Sequence, residues 1–110
     1  MTRFLFALLA MSAIGWLPFR ATAEGKDVTV LIHNYSFTPT EVTVPKGSKV
    51  TWTNSDETPH TVLTVDKKLR SPPMDTGESF SKVYDEVGSY PYVCGLHPQM
   101  KGMVVVKPTE

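Results

Sequence analysis

Along residues 27–33 the apolar positions Val28, Val30 and Ile32 alternate with Thr29, Leu31 and His33. That period of two predicts a strand buried on one face and partly on the other. Tyr35-Ser-Phe37-Thr-Pro39 interrupts the pattern. Proline donates nothing to a ladder, so an irregular edge is expected there, with Phe37 turned into the core. Glu41-Val-Thr-Val44 alternates again, and Pro45-Lys-Gly47-Ser48 follows as a turn in which proline presets φ and glycine takes the permissive position. Lys49-Val-Thr-Trp-Thr-Asn54 resumes the alternation. The two runs are expected to form a hairpin with Val50 and Trp52 on its buried face.

The polar stretch 54–58 reads as a loop, and Pro59-His60 leads into a β-rich run, Thr61-Val-Leu-Thr-Val65, with His60 at its start. Residues 66–78 contain Lys67, Lys68, Arg70, Pro72, Pro73 and Gly77 and show neither period, which predicts the longest loop of the chain. Ser79-Phe-Ser-Lys-Val-Tyr84 is a strand, 85–88 a turn, and Ser89 to Cys94 a strand whose Tyr90, Tyr92 and Cys94 share a face. A short β-branched run, Met103-Val-Val-Val-Lys107, comes last and Pro108 ends it. About seven to eight short strands, turn signals roughly every 8 to 12 residues and no helical period after the first segment predict an all-β chain folded as a β-sandwich.

Residues 1–23 have the pattern of a cleavable leader: Arg3 near the start, an apolar run from Phe4 to Leu17, then Ala21-Thr-Ala23 as a small-x-small site before Glu24. The apolar run has 14 residues, short of the roughly 20 that span a bilayer, so export is expected and no membrane anchor should remain after cleavage. Residues 24–110 then form one domain of 87 residues. Arg3 and Arg20 leave with the leader, so nine basic side chains face 11 acidic ones, a net charge near −2. That balance excludes nucleic acid as a partner, since phosphate binding needs clustered Lys and Arg. A single cysteine cannot form an internal disulfide, and a bound metal is the other way to stabilise a thin core by mass action.

The chemistry lies in Tyr90-Pro-Tyr-Val-Cys94-Gly-Leu-His97-Pro-Gln-Met100-Lys-Gly102, which spaces a thiol, an imidazole and a thioether three residues apart, with His60 available upstream. Two His, one Cys and a weak Met are the ligands of a blue-copper electron-transfer site, because soft sulfur suits Cu(I) and imidazole suits Cu(II). One copper per chain is expected, held by His60, Cys94, His97 and Met100. Zinc is disfavoured because thioether is a poor ligand for it. A Cys–His nucleophilic enzyme is disfavoured because both residues sit on one tight loop and nothing suggests a substrate cleft. Three histidines cannot furnish the further copper cluster of a multicopper oxidase. Met103, opening the last strand, is expected to fill core rather than compete for the metal; Met74 should line the surface, and His33 should be a strand-end histidine.

The runs Val50-Thr-Trp-Thr-Asn54, Pro59-His60-Thr-Val62 and Gly88 through Gly102 resemble the cupredoxin family over nearly the whole chain after the leader. Within it the two-residue spacings resemble the short-loop amicyanins rather than plastocyanin, pseudoazurin or azurin, whose loops are longer. The resemblance implies a Greek-key sandwich with copper at one end and electron exit through the partly exposed ring of His97. An apolar patch should surround that ring, with Pro59, Met74, Leu96 and Pro98 as the matching positions. It further implies a periplasmic carrier between a redox donor, such as an amine dehydrogenase, and an acceptor such as a cytochrome c. A monomer is expected, and copper delivery or tolerance is the alternative function. Lys67, Lys68 and Arg70 are either solvated loop charges or a source of electrostatic steering.

Family members usually carry Asn after the first His ligand, where it ties the two ligand loops together; here Thr61 stands there, a hydroxyl in place of an amide. Groups behind the ligands tune the metal, so potential and loop rigidity do not transfer. The resemblance also implies that the reduced site is gated by protonation of His97, since imidazole titrates in the accessible range. The reduction potential is therefore expected to vary with pH, and a potential that is flat between about pH 5 and 8 overturns the gating.

Overall fold

The structure, a computed structural model, describes residues 25–109; the expected leader and its cleavage site lie outside the described residues. In chain order the strands are β1 (Asp27–His33), β2 (Ser36–Thr38), β3 (Glu41–Pro45), β4 (Ser48–Asn54), β5 (Leu63–Thr64), β6 (Ser79–Tyr84), β7 (Gly88–Cys94) and β8 (His97–Lys107). They pair into two four-stranded sheets, β2-β1-β4-β6 and β3-β8-β7-β5. Strand β1 runs parallel to β4, and β3 parallel to β8; the other pairs are antiparallel. This is the expected sandwich, and no helix among the described residues is long and apolar enough to cross a membrane.

The alternation read from the sequence places Val30 and Ile32, Val42 and Val44, Val50 and Trp52, Tyr92 and Cys94, and Val104 and Val106 in the layer between the sheets. Phe37 joins them, its ring 4.8 Å edge-on to Tyr92, which in turn stands 5.4 Å edge-on to Trp52. Edge-to-face packing suits the ring quadrupoles. Burial pushes the Tyr92 phenol up to about 12, so it stays neutral in ordinary buffers.

The expected hairpin of 41–54 does not form. Strand β3 pairs with β8, whereas β4 pairs with β1 and β6, so the turn between them carries the chain from one sheet to the other. A hairpin and a sheet-to-sheet crossover bury the same alternate residues, and periodicity does not separate them. Hydrogen bonds do. Lys46 N–H donates to Lys107 O at 2.8 Å in the second sheet, while Gly47 N–H donates to Tyr84 O at 2.7 Å in the first. Ser48 Oγ donates to Pro45 O at 2.7 Å and accepts from Lys26 N–H at 2.9 Å. Gly47, with φ of 91°, occupies the left-handed region that L side chains avoid.

Two further expectations change. Of the run 61–65 only Leu63–Thr64 is a ladder strand, and residues 66–78 are pinned along it rather than looped away. Ser71 N–H donates to Val62 O at 2.8 Å, Ser71 Oγ accepts from Val62 N–H at 2.8 Å, and His60 and Met74 exchange two main-chain bonds of 3.2 and 2.8 Å. Met74 is consequently core at 2% exposure, not surface lining; an unbranched thioether fills the irregular space that isolated bridges leave.

Strand β8 also begins earlier than the β-branched run, at His97. Its ladder with β7 pairs Cys94 with His97 and then Val93 with Lys101, which leaves Pro98, Gln99 and Met100 in a bulge. Strands β1 and β2 are joined by Asn34 and Tyr35, both with φ of 57°. A two-residue turn of this hand needs positive φ at both positions. Asn tolerates that, but a tyrosine stands there at a penalty of roughly 1–2 kcal/mol.

Gly102 pairs with Tyr92, and a Cβ placed on it would run into the Tyr92 ring. Gly102→Ala is expected to lower the unfolding free energy by about 1–3 kcal/mol through overpacking. Urea denaturation of the metal-free protein measures this; an unchanged midpoint would show that the ring can move aside.

Candidate metal centre

Cys94 ends β7 and His97 opens β8, with Gly95 and Leu96 between them. His60 comes from the segment after β4 and is held in place by its bridge to Met74. Cys94 Sγ lies 3.6 Å from His60 Nδ1 and 3.7 Å from His97 Nδ1. The three potential ligand atoms all fall within 4.8 Å of one another. A thiolate and two imidazole nitrogens bonded to one ion at roughly 2.0–2.3 Å, about 120° apart, stand on the order of 3.7 Å from each other, so the group fits a single metal ion.

Met100 is buried at 4% exposure. Along an unbroken strand, residues three apart point to opposite faces; the bulge removes that constraint between His97 and Met100. Met103 instead sits in the regular ladder, opposite Glu41 and Pro91, and is half-buried.

Thr61 spans the two ligand segments. Its N–H donates to Cys94 Sγ at 3.4 Å, and its hydroxyl accepts from Gly95 N–H at 2.7 Å. The tie that an Asn would make across the loops is thus made here by main chain and hydroxyl together.

His60 is fully buried, and its Nε2–H donates to Asp56 Oδ2 at 2.9 Å, which leaves Nδ1 free as a lone-pair donor facing Cys94. The same carboxylate accepts from Asn34 N–H at 2.6 Å and Tyr35 N–H at 2.9 Å. Desolvation pushes the Asp56 carboxyl up, but the two amides and His60 outweigh it and hold its pKa below the usual range. Asn54 fixes the loop from within: Oδ1 accepts from Asp56 N–H at 2.9 Å, and Nδ2 donates to Thr58 O at 3.0 Å and Met74 O at 2.8 Å. The stretch 54–58, which reads as a plain polar loop, is therefore the support of His60. Asp56 lies one helical-turn spacing before His60, a signal too weak to separate from any other loop carboxylate.

Tyr35 was equally invisible in the sequence. Its ring stands edge-on to both imidazoles, 5.3 Å from His60 and 5.3 Å from His97. His97 is partly exposed, and Pro59, Leu96 and Pro98 are exposed, whereas Met74 is buried; half-exposed Tyr35 stands against the His97 ring. His33 is an exposed strand-end residue whose Nδ1 lies 3.3 Å from Ser55 Oγ. Lys67, Lys68 and Arg70 are exposed.

Because the folded pKa of Asp56 is below its unfolded value, its contribution to stability is present above about pH 4 and is lost as pH falls through the folded value. Asp56→Asn is expected to lower the stability of the metal-free protein by about 1 kcal/mol at pH 7 and to flatten its acid dependence below about pH 4. Urea titrations at neutral and acidic pH test this, and parallel acid profiles for the two proteins would remove Asp56 as the source.

The cupredoxin-like domain family matches residues 4–106. Amicyanin-alpha of Methylorubrum extorquens is 35% identical over 107 residues, covering 93% of this chain and 90% of that protein. The amicyanin of Paracoccus denitrificans is 36% identical over 82% of this chain and 73% of its own length. A solved Cu(I) structure of a substituted amicyanin is 33% identical, with a TM-score of 0.70 over 73% of this chain and 81% of that one. Sandwich, converging donors and likeness agree over nearly all of the described residues, and the chain belongs to the cupredoxin-like family.

Proposed function

We propose that this protein is a blue-copper electron carrier that binds one copper through His60, Cys94 and His97 as strong ligands and Met100 as a weak fourth. The observation that carries the reading is the convergence of Cys94 Sγ on two Nδ1 atoms at 3.6 and 3.7 Å, in a family whose amicyanin members include a Cu(I) form. Copper bound there supplies one-electron cycling between Cu(II) and Cu(I).

The chain's own residues keep that cycle inexpensive in reorganisation. Asp56 fixes the His60 ring, and the Thr61 N–H stabilises negative charge on Cys94 sulfur. The β7–β8 bulge sets His97 and Met100 relative to the thiolate. Electrons leave through His97, and Pro59, Leu96 and Pro98 form the apolar rim on which redox partners dock. No bond is made or broken, so the protein is a carrier and not an enzyme. The amicyanin likeness supports an amine dehydrogenase as donor and a cytochrome c as acceptor, and the leader pattern supports export to the periplasm.

Adding Cu(II) to the metal-free protein is expected to give an intense thiolate-to-copper absorption in the visible region that reductant bleaches and that Cys94→Ser lacks. A colourless or weakly coloured complex overturns the electron-carrier reading and puts copper delivery or tolerance first.

A further inference from the structure

We propose that Tyr35 is a positioning residue that braces the imidazole of His97; the importance of that brace rests on the copper-site reading above, its existence does not. His60 has a carboxylate to orient it. Among the described residues His97 has none: its ring's hydrogen-bond contact is Nδ1 to Cys94 Sγ at 3.7 Å, and it stands on a two-residue connection, partly exposed.

What holds the ring is packing. Tyr35 meets it at 5.3 Å and 87°, and His60 meets it at 5.1 Å and 61°. Tyr35 also meets His60, at 5.3 Å and 90°. Three rings therefore stand mutually edge-on, a geometry their quadrupoles favour, and His97 packs against both of the others.

Tyr35 is itself clamped at both ends to the segment that carries His60. Its N–H donates to Asp56 Oδ2 at 2.9 Å, and its hydroxyl lies 2.8 Å from Thr58 Oγ1. Asp56 Oδ2 is the same atom that accepts from His60 Nε2 at 2.9 Å. One carboxylate oxygen thus orients His60 directly and His97 through the tyrosine, so that both imidazoles are referenced to a single point.

The main chain of Tyr35 makes the argument sharper. Its φ of 57° lies in the left-handed region, at a turn position that glycine fills without strain. Strain retained at one residue calls for a function of its side chain, and the contact with both imidazoles is that function.

The turn's preference for glycine also supplies the test, because Tyr35→Gly removes the ring and relaxes the main chain, so the fold is kept. Imidazole resonances of the metal-free protein are to be compared among the native chain, Tyr35→Gly and Tyr35→Phe. The His97 ring is expected to give one sharp set in the native chain and in Tyr35→Phe, which loses only the Thr58 contact. In Tyr35→Gly it should broaden or double while His60 stays single. Competition with a chelator should show copper bound about 10-fold more weakly by Tyr35→Gly, the lower end of the effect of removing groups that orient metal ligands. A single sharp His97 set in Tyr35→Gly overturns the brace. Failure of the copper reading would show separately, as a native chain that does not turn blue.

Discussion

The hydrogen bond between His60 Nε2 and Asp56 is the contact on which the rest of the site depends. A fully buried imidazole with no partner would be costly to desolvate and free to present either nitrogen. The carboxylate satisfies one nitrogen and so aims the other at Cys94. Asp56 can do this because it is itself held, by the amides of Asn34 and Tyr35 on one side and by the Asn54 side chain on the other. Asn54 ends β4 and reaches across to the carbonyl of Met74. The orientation of one ring is thus anchored in the first sheet through a short chain of polar contacts, each of them geometrically directional.

The remaining donors come from the second sheet. Cys94 and His97 form the closing pair of the β7–β8 ladder, so the distance between the two halves of the site is set by how the sheets pack. That packing is fixed close by: Tyr92, two residues before Cys94, is wedged between Phe37 and Trp52 of the opposite layer. A close-packed interior transmits strain and resists compression. Neither sheet can shift without disturbing the other's aromatic contacts, which fixes the spacing between the two halves of the site.

How far this was legible follows from what a linear pattern can encode. Alternation revealed the strands and most residues that face the core, and three-residue spacing singled out Cys94, His97 and Met100 as candidates, because both depend on neighbours in sequence. It did not separate a hairpin from a crossover at 45–48, since both bury Val42, Val44, Val50 and Trp52; the choice rests on main-chain bonds to Lys107 and Tyr84. Met74 was misplaced because its burial comes from an isolated bridge to His60. Asp56 and Tyr35 were missed because their roles depend on a turn 20 or more residues away, which the hydrogen bonds at separations of 21 and 22 residues record. Whether Thr61 ties the two loops was not legible in the sequence; its hydroxyl accepts from Gly95 N–H and its own N–H donates to Cys94 sulfur.

Strand β8 has a consequence for timing. It is the last strand among the described residues, it pairs with β3 in parallel and with β7 in antiparallel sense, and it carries His97 and Met100. Parallel pairing across so long a stretch of sequence is closed late, because loop entropy is lost before contacts repay it. The β7–β8 hairpin, by contrast, closes locally through Gly95 and Leu96, so the Cys94 and His97 donors meet early and His60 joins them only when the sheets pack. The three donor atoms that lie within 4.8 Å of one another therefore come together only when the two halves of the sandwich have packed.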